Sequence, residues 1–239
     1  MEILKLNQIS PDQLILLQWG FAKITATMVY TWFIMALLLF FSWLATRRIS
    51  TGLHITRWQN LLEVIVSTIR DQIREISQDN PDNYLAFIGT LFLFIALSNI
   101  LAIIPGYVAP TSSLTTTAAL AICVFITVPL YGITKRGLLG YLKEYFQPTF
   151  IFFPFHVMGE FTRTLALTIR LFGNIMSHEK VIGVLLAITP LFFPIVMSAL
   201  GLLIGMVQAY IFSILAMVYI ASATQTHEKK HGDNPLKQK

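Results

Sequence analysis

One apolar stretch of this sequence holds Glu160, Arg163, Arg170, His178, Glu179 and Lys180, with Asn174 among them. In a membrane-crossing helix such residues are expensive; an arginine at mid-depth costs from about 2.5 kcal/mol upward. A chain that keeps them there points to ion handling, because scaffolds rarely need charge at that depth. At about 100° per residue, Arg163, Arg170, Asn174 and Ser177 fall within roughly a 60° arc and share one face. Glu179 lies about 13 Å further along the axis and roughly 180° around from Arg170. The two cannot form a simple ion pair and must line different environments on opposite sides of the helix.

Plainer readings stand beside these. Arg170 could be a structural cation, paired with a neighbouring subunit or with Glu160. The residues around it (Leu167, Ile169, Leu171, Phe172) are apolar, so water cannot easily reach it by snorkelling. Glu179 could be an interfacial carboxylate near the outer end, and Glu160 and Arg163 interfacial anchors near the cytoplasmic start. His178 reads as a polar lining residue, since no second ligand sits at metal spacing. Downstream, Gln208 stands alone in the apolar run 200–214. Gly201, Gly205, Gln208 and Tyr219 share an arc of about 60°, and small residues around an amide suit close helix packing. Gln208 either makes a helix–helix hydrogen bond only or shapes the surroundings of Arg170.

Long apolar helices must position these groups. About 20 apolar residues span the hydrocarbon. Five segments meet or approach that: 24–45, 84–104, 113–133, about 155–188 and about 190–224. The fourth would be about 50 Å long against roughly 30 Å of hydrocarbon, so it must tilt, kink or extend beyond the bilayer. Thr189-Pro190-Leu191-Phe192-Phe193-Pro194 joins it to the fifth. The expected fold is an all-α membrane protein with about five embedded helices, the last two a long, strongly tilted hairpin. Residues 57–78 add an amphipathic interfacial helix: Leu61, Leu62, Val64, Ile65, Ile69, Ile73 and Ile76 recur near helical spacing between charges. A shorter one is expected over 137–146. The resulting units are an outer N-terminal segment 1–23, a first span 24–45, the interfacial helix 57–78, a transmembrane hairpin 84–134, the long hairpin 150–225 and a basic tail 226–239.

Composition agrees. The 239 residues are 55% hydrophobic and 12% charged, and mean hydropathy is +0.68. Soluble domains carry about 25% charged residues. The net charge of +5 does not point to nucleic acid, because most basic residues flank apolar segments. Cys123, the one cysteine, sits in an apolar run and reads as lipid- or core-facing. The apolar run 24–45 is too long for a signal core of about 7–15 residues. Arg47, Arg48, Arg57, Arg70 and Arg74, then Lys135, Arg136 and Lys143, then Lys229, Lys230, Lys237 and Lys239 follow spans one, three and five. The loop 106–112 carries no charge. The positive-inside rule then places the N-terminus outside and the C-terminus in the cytoplasm.

Arg170-Leu171-Phe172-Gly173-Asn174 followed by Glu179 resembles the signature of F-type ATP synthase subunit a. Gln208-Ala209-Tyr210-Ile211-Phe212 resembles that family's last-helix motif, and Thr90 to Phe94 with Ser98-Asn99 and Pro105 its second-span pattern. Gly132 to Gly137 and Gln147-Pro148-Thr149 are similar to bacterial and plastid forms. The resemblance covers about residues 20–225. It implies that Arg170 is the essential arginine, Glu179 the outer half-channel carboxylate, Gln208 the last-helix glutamine, Asn174 its supporting asparagine and Arg163 the preceding basic residue. Some members carry a histidine in the last helix; here that position looks like Gly201, and His178 stands beside Glu179.

The resemblance further implies a non-catalytic stator subunit that passes H+, or Na+ in a sodium-coupled variant, to a c-subunit ring. Peripheral-stalk b subunits and the remaining ATP synthase subunits would be its partners. A bacterial plasma membrane or thylakoid-like membrane would be its location. No cofactor is implied. The competing readings are a secondary ion transporter, which the lack of an internal repeat disfavours, and a structural membrane subunit.

Overall fold

A computed structural model describes residues 15–19, 22–47, 57–77, 79–104, 106–145, 153–189 and 193–224. The expectations for residues 1–14, Gln147-Pro148-Thr149, the turn at Pro190-Leu191-Phe192 and the tail 226–239 lie outside these residues.

The helices are α1 (Ala26–Arg47), α2 (Arg57–Ser77), α3 (Asp82–Leu101), α4 (Leu114–Tyr145), α5 (Phe153–Ile188) and α6 (Phe193–Thr224). All but α2 are long and apolar enough to cross a membrane. The five expected spans and the interfacial helix are therefore present, with bounds shifted by a few residues. At 1.5 Å per residue α5 and α6 reach about 54 and 48 Å, so neither fits upright within about 30 Å of hydrocarbon.

Two boundaries differ for identifiable reasons. The first span begins at Ala26, because Ala22–Thr25 pairs antiparallel with Ile15–Trp19 as a short hairpin, β2 with β1. The β-branched Ile24 and Thr25 fit a pleated strand, and sequence reading did not anticipate this pair. In α4 the helix runs through the expected end of the span and breaks at Gly137, whose φ of 75° lies in the left-handed region. Residues beyond it form the short segment expected over 137–146.

Helix α6 is the centre of the bundle and packs against α2, α3, α4 and α5. Its inward face is built from small and mid-sized residues: Gly205, Ala209, Ser213, Ala216 and Ala221 beside Phe212, Met217 and Ile220. Such residues let helix backbones approach where lipid removes the hydrophobic drive for association. At Gly205 the approach is closest, since an added Cβ would lie 2.8 Å from Cβ of Asn99 on α3. Outward faces carry large apolar side chains such as Trp32, Leu39, Leu130 and Ile195, as lipid-facing surfaces should. Cys123 is exposed on the outward face.

The two ends of the bundle are fastened differently. At one end Lys135 pairs with Asp79, the Tyr84 hydroxyl donates to Asp79 Oδ2 at 3.3 Å, and the Tyr131 hydroxyl donates to the Asn83 carbonyl at 2.9 Å. The Lys135 hydrogen bond, followed by the Asn80 amide, holds the Asp79 carboxyl below its usual range. At the other end the segment between α3 and α4 folds back into the bundle. Its 3-10 turn, Pro110–Ser112, is buried, as are Ala109 and Ser113. The Ser113 hydroxyl accepts from the Thr116 amide at 3.5 Å and so caps α4.

Candidate functional site

Helix α5 turns Leu167, Thr168, Leu171 and Ile175 into the bundle. Arg163, Arg170, Asn174 and Ser177 are all exposed, about 100° around the helix from that buried face, so the predicted common face exists and flanks the core beside α6. Ala166 and Gly173 complete it, and a Cβ on Gly173 would meet nothing within 4 Å. Arg170 thus rises from a strip of small residues. Among the described residues it has no ion pair. Glu160 is not its partner, so no ion pair among the described residues accounts for this cation.

Facing residues of α5 and α6 match in antiparallel order. Near one end the Arg163 guanidinium lies 5.4 Å from the centre of the Tyr219 ring, within cation–π range. In the middle Asn174 Nδ2 donates to Gln208 Oε1 at 2.6 Å. At the far end the imidazole of His178 occupies the space above Gly201, where a Cβ would overlap it. Gln208 is 3% exposed, and its Nε2 has no hydrogen-bond partner among the described residues. The amide therefore reaches Asn174 rather than Arg170. The position that read as a missing last-helix histidine is a glycine whose vacant side is filled by His178.

The carboxylates stand at opposite ends of α5. Glu160 lines a crevice with Arg163, Thr164 and Tyr219, closed by Val124 and Val128 of α4. Glu179, at the other end, lies beside Ser112 and Ala109 of the re-entrant segment, whose turn packs against α5. Arg170 falls between them, about 15 Å from one and 13 Å from the other along the axis.

Behind Glu179 sits a polar network that sequence reading took for an uncharged outer loop. Thr111 Oγ1 donates to Asn99 Oδ1 at 2.8 Å and lies 3.4 Å from Ser98 Oγ. Asn99 Nδ2 in turn donates to the Gly205 carbonyl at 2.8 Å. The re-entrant turn is thereby tied to α6 less than one helical turn from Gln208. Tyr107 closes the network under the ring of Tyr30, centroids 4.9 Å apart. Burial pushes the Tyr107 hydroxyl up to about 12, so it stays protonated. The available signal was a run of small hydroxyl residues, Thr111-Ser112-Ser113, without a charge to hold it in water. Among the described residues no group of His, Cys, Asp and Glu could hold a metal ion.

Comparison with known proteins closes the identification. Residues 28–221 match the family model described as ATP synthase A chain. ATP synthase subunit a 1 of Chlorobaculum parvum is 58% identical over 221 residues, covering 92% of this chain and 98% of the relative. ATP synthase subunit a of Albidiferax ferrireducens is 57% identical over 223 residues, with coverage of 93% and 96%. ATP synthase subunit a 2 of Acaryochloris marina is 55% identical over 223 residues, with coverage of 93% and 95%. The chain, an integral membrane protein with five helices fit to span a bilayer, belongs to the subunit a family of F-type ATP synthases, as the membrane stator subunit of that complex.

Proposed function

We propose that this subunit provides two offset half-channels that carry H+, or Na+, to and from the carboxylates of a c-subunit ring, with Arg170 separating them. The observation that carries the reading is the position of Arg170. It is exposed on a strip of small residues, has no ion pair among the described residues, and lies between Glu179 at one end of α5 and Glu160 at the other. Gly173 and Ala166 would let a rotor helix come close to the guanidinium.

The physics follows from charge in a low dielectric. A rotor carboxylate facing lipid must be neutral, because an unpaired charge there costs several kcal/mol. Beside Arg170 its ionised form is favoured, so it releases its cation. A free cation passing Arg170 would meet like charge, so the arginine also blocks direct flow between the half-channels. The outer path would run by Glu179 and the re-entrant turn, the inner path by Glu160, Arg163 and Tyr219. Asn174, Gln208, His178 and Ser177 would shape the ground between. Each charge moved through 100 mV contributes about 2.3 kcal/mol. The ATP chemistry itself would take place on other subunits.

The distribution of basic residues supports an N-terminus outside and a C-terminus in the cytoplasm, in a bacterial plasma membrane or a thylakoid-like one. The b subunits of the peripheral stalk would hold the subunit against rotation. The test uses the whole complex in liposomes. Arg170→Ala is expected to abolish ion-driven ATP synthesis while the c ring still copurifies. Retained coupled synthesis would argue against the assignment.

A further inference from the structure

Between α2, α3 and α6 lies a cavity of about 190 Å³. Its floor is Ile73, Ile88 and Met217, each at most 3% exposed. Its mouth is at Val64, Thr68 and Tyr210, all exposed. An apolar cavity of about 150 Å³ already stays dry and takes a small hydrocarbon. The polar groups in these walls do not favour anything else, because their hydroxyls are committed. Thr68 donates to the Val64 carbonyl at 2.7 Å, Ser213 to the Ala209 carbonyl at 2.9 Å, and Tyr210 to Gln72 Oε1 at 3.0 Å. Among the described residues no charged side chain lines the cavity. The Gln72 amide nitrogen alone cannot supply the roughly two to four partners that a buried water needs.

Depth narrows the choice further. Ile88 and Phe92 lie about 9 and 15 Å along α3 from its start at Asp82. Met217 and Tyr210 lie about 11 and 21 Å along α6 from its end at Thr224. A polar headgroup layer is only about 5–8 Å thick, so the cavity stands at the level of the acyl chains. A helix, about 10–12 Å across with its side chains, is too wide to enter it; a flexible chain is not. Left empty, the cavity would forfeit dispersion contacts on every wall. We propose that it takes one acyl chain of a bilayer phospholipid, which enters past Val64, Thr68 and Tyr210 and holds the interfacial helix α2 against α3 and α6. No described residue of α5 lines the cavity, so the proposal stands apart from the half-channel reading.

Met217 gives the test. It is 1% exposed, so bulk lipid does not touch it, whereas Met28 and Met35 face outward at 47% and 52%. The whole ATP synthase complex is produced with a diazirine analogue of methionine and placed in vesicles of phosphatidylethanolamine and phosphatidylglycerol. On illumination the diazirine loses N2, and the carbene inserts into a C–H or O–H bond of whatever touches it. The adducts are then identified by peptide mass. A phospholipid adduct is expected at Met217 as well as at Met28 and Met35. Thr68→Phe, which plugs the mouth, is expected to abolish the adduct at Met217 and to leave those at Met28 and Met35. Should that variant fail to assemble, Val64→Trp on the same rim takes its place, and the unsubstituted complex decides by itself. A water adduct at Met217 would make the cavity wet. A peptide of another subunit would make a partner side chain its occupant, and adducts confined to this chain would make it closed. Each of these overturns the proposal, as does a lipid adduct at Met217 that survives the plug.

Discussion

Asn174 donates a hydrogen bond of 2.6 Å to Gln208 across the α5–α6 hairpin, about one helical turn beyond Arg170. The bond fixes the rotation of α5 and with it the direction in which Arg170 leaves the bundle. Gln208 is nearly fully buried and Asn174 is exposed, so the bond joins the core to the face that would meet a rotor. Asn174→Ala and Gln208→Leu should each lower coupled ATP synthesis by about 3–10-fold, the cost of one such bond. Because both remove the same bond, the double variant should fall no further than the worse single one. Losses that simply multiply would show that the two residues act separately.

His178 and Gly201 form a second matched pair. A Cβ on Gly201 would overlap the imidazole, so even alanine must displace the ring from its place beside Glu179. Gly201→Ala is predicted to reduce both complex yield and coupled rate, by about 1–3 kcal/mol if the loss is read as stability. Adding His178→Ala vacates the space and should restore the yield. It should not restore the rate fully if the imidazole contributes to the outer path. A Gly201→Ala complex with wild-type yield and rate would show that the ring moves freely.

Much of this arrangement was legible in the sequence. Charges in an apolar run exposed the strip of Arg163, Arg170, Asn174 and Ser177, because a helical period is enough to place residues on one face. Apolar length gave the spans and the hairpin. What the period could not give was pairing between helices. Nothing in the order of residues says that Gln208 meets Asn174, or that His178 fills the side of Gly201. The re-entrant turn was missed for a related reason. Thr111, Ser112 and Ser113 have the composition of a solvated loop, and only hydrogen bonds such as Thr111 to Asn99 and Ser112 to the Ala109 carbonyl make burying them tolerable. The β1–β2 pair was missed because its residues run directly into a long apolar stretch; the signal available was the two-residue Gly20-Phe21 sequence between them.

The clasp of Asp79, Lys135 and Tyr84 gives a pH prediction of definite sign. The Asp79 carboxyl is held below the ordinary aspartate value of 3.8. Its contribution is therefore present above that value and lost as pH falls through the lower, folded value. Asp79 and Lys135 are each about a third exposed, so the effect should be small and weakened by salt. Asp79→Asn should lower the unfolding temperature of the purified complex slightly at neutral pH. As the pH falls below the folded value, wild type and variant should converge. A gap that persists in acid would mean that Asp79 acts through packing rather than charge.

Glu160 and Glu179 lie about 28 Å apart along α5, on either side of Arg170. If each serves one half-channel, their loss should be felt from opposite sides of the membrane. In oriented liposomes Glu179→Gln should lower the rate of ATP synthesis and flatten its dependence on outer pH. The dependence on inner pH should keep its wild-type shape. Glu160→Gln should do the reverse, and less severely, because its crevice also contains Arg163 and opens near the bundle end. Glutamine preserves shape and hydrogen bonding, so both complexes should assemble with normal yield. The offset arrangement requires this sidedness. If both variants altered the response to the same side, the two carboxylates would belong to one path, and Arg170 could not be the divide between two.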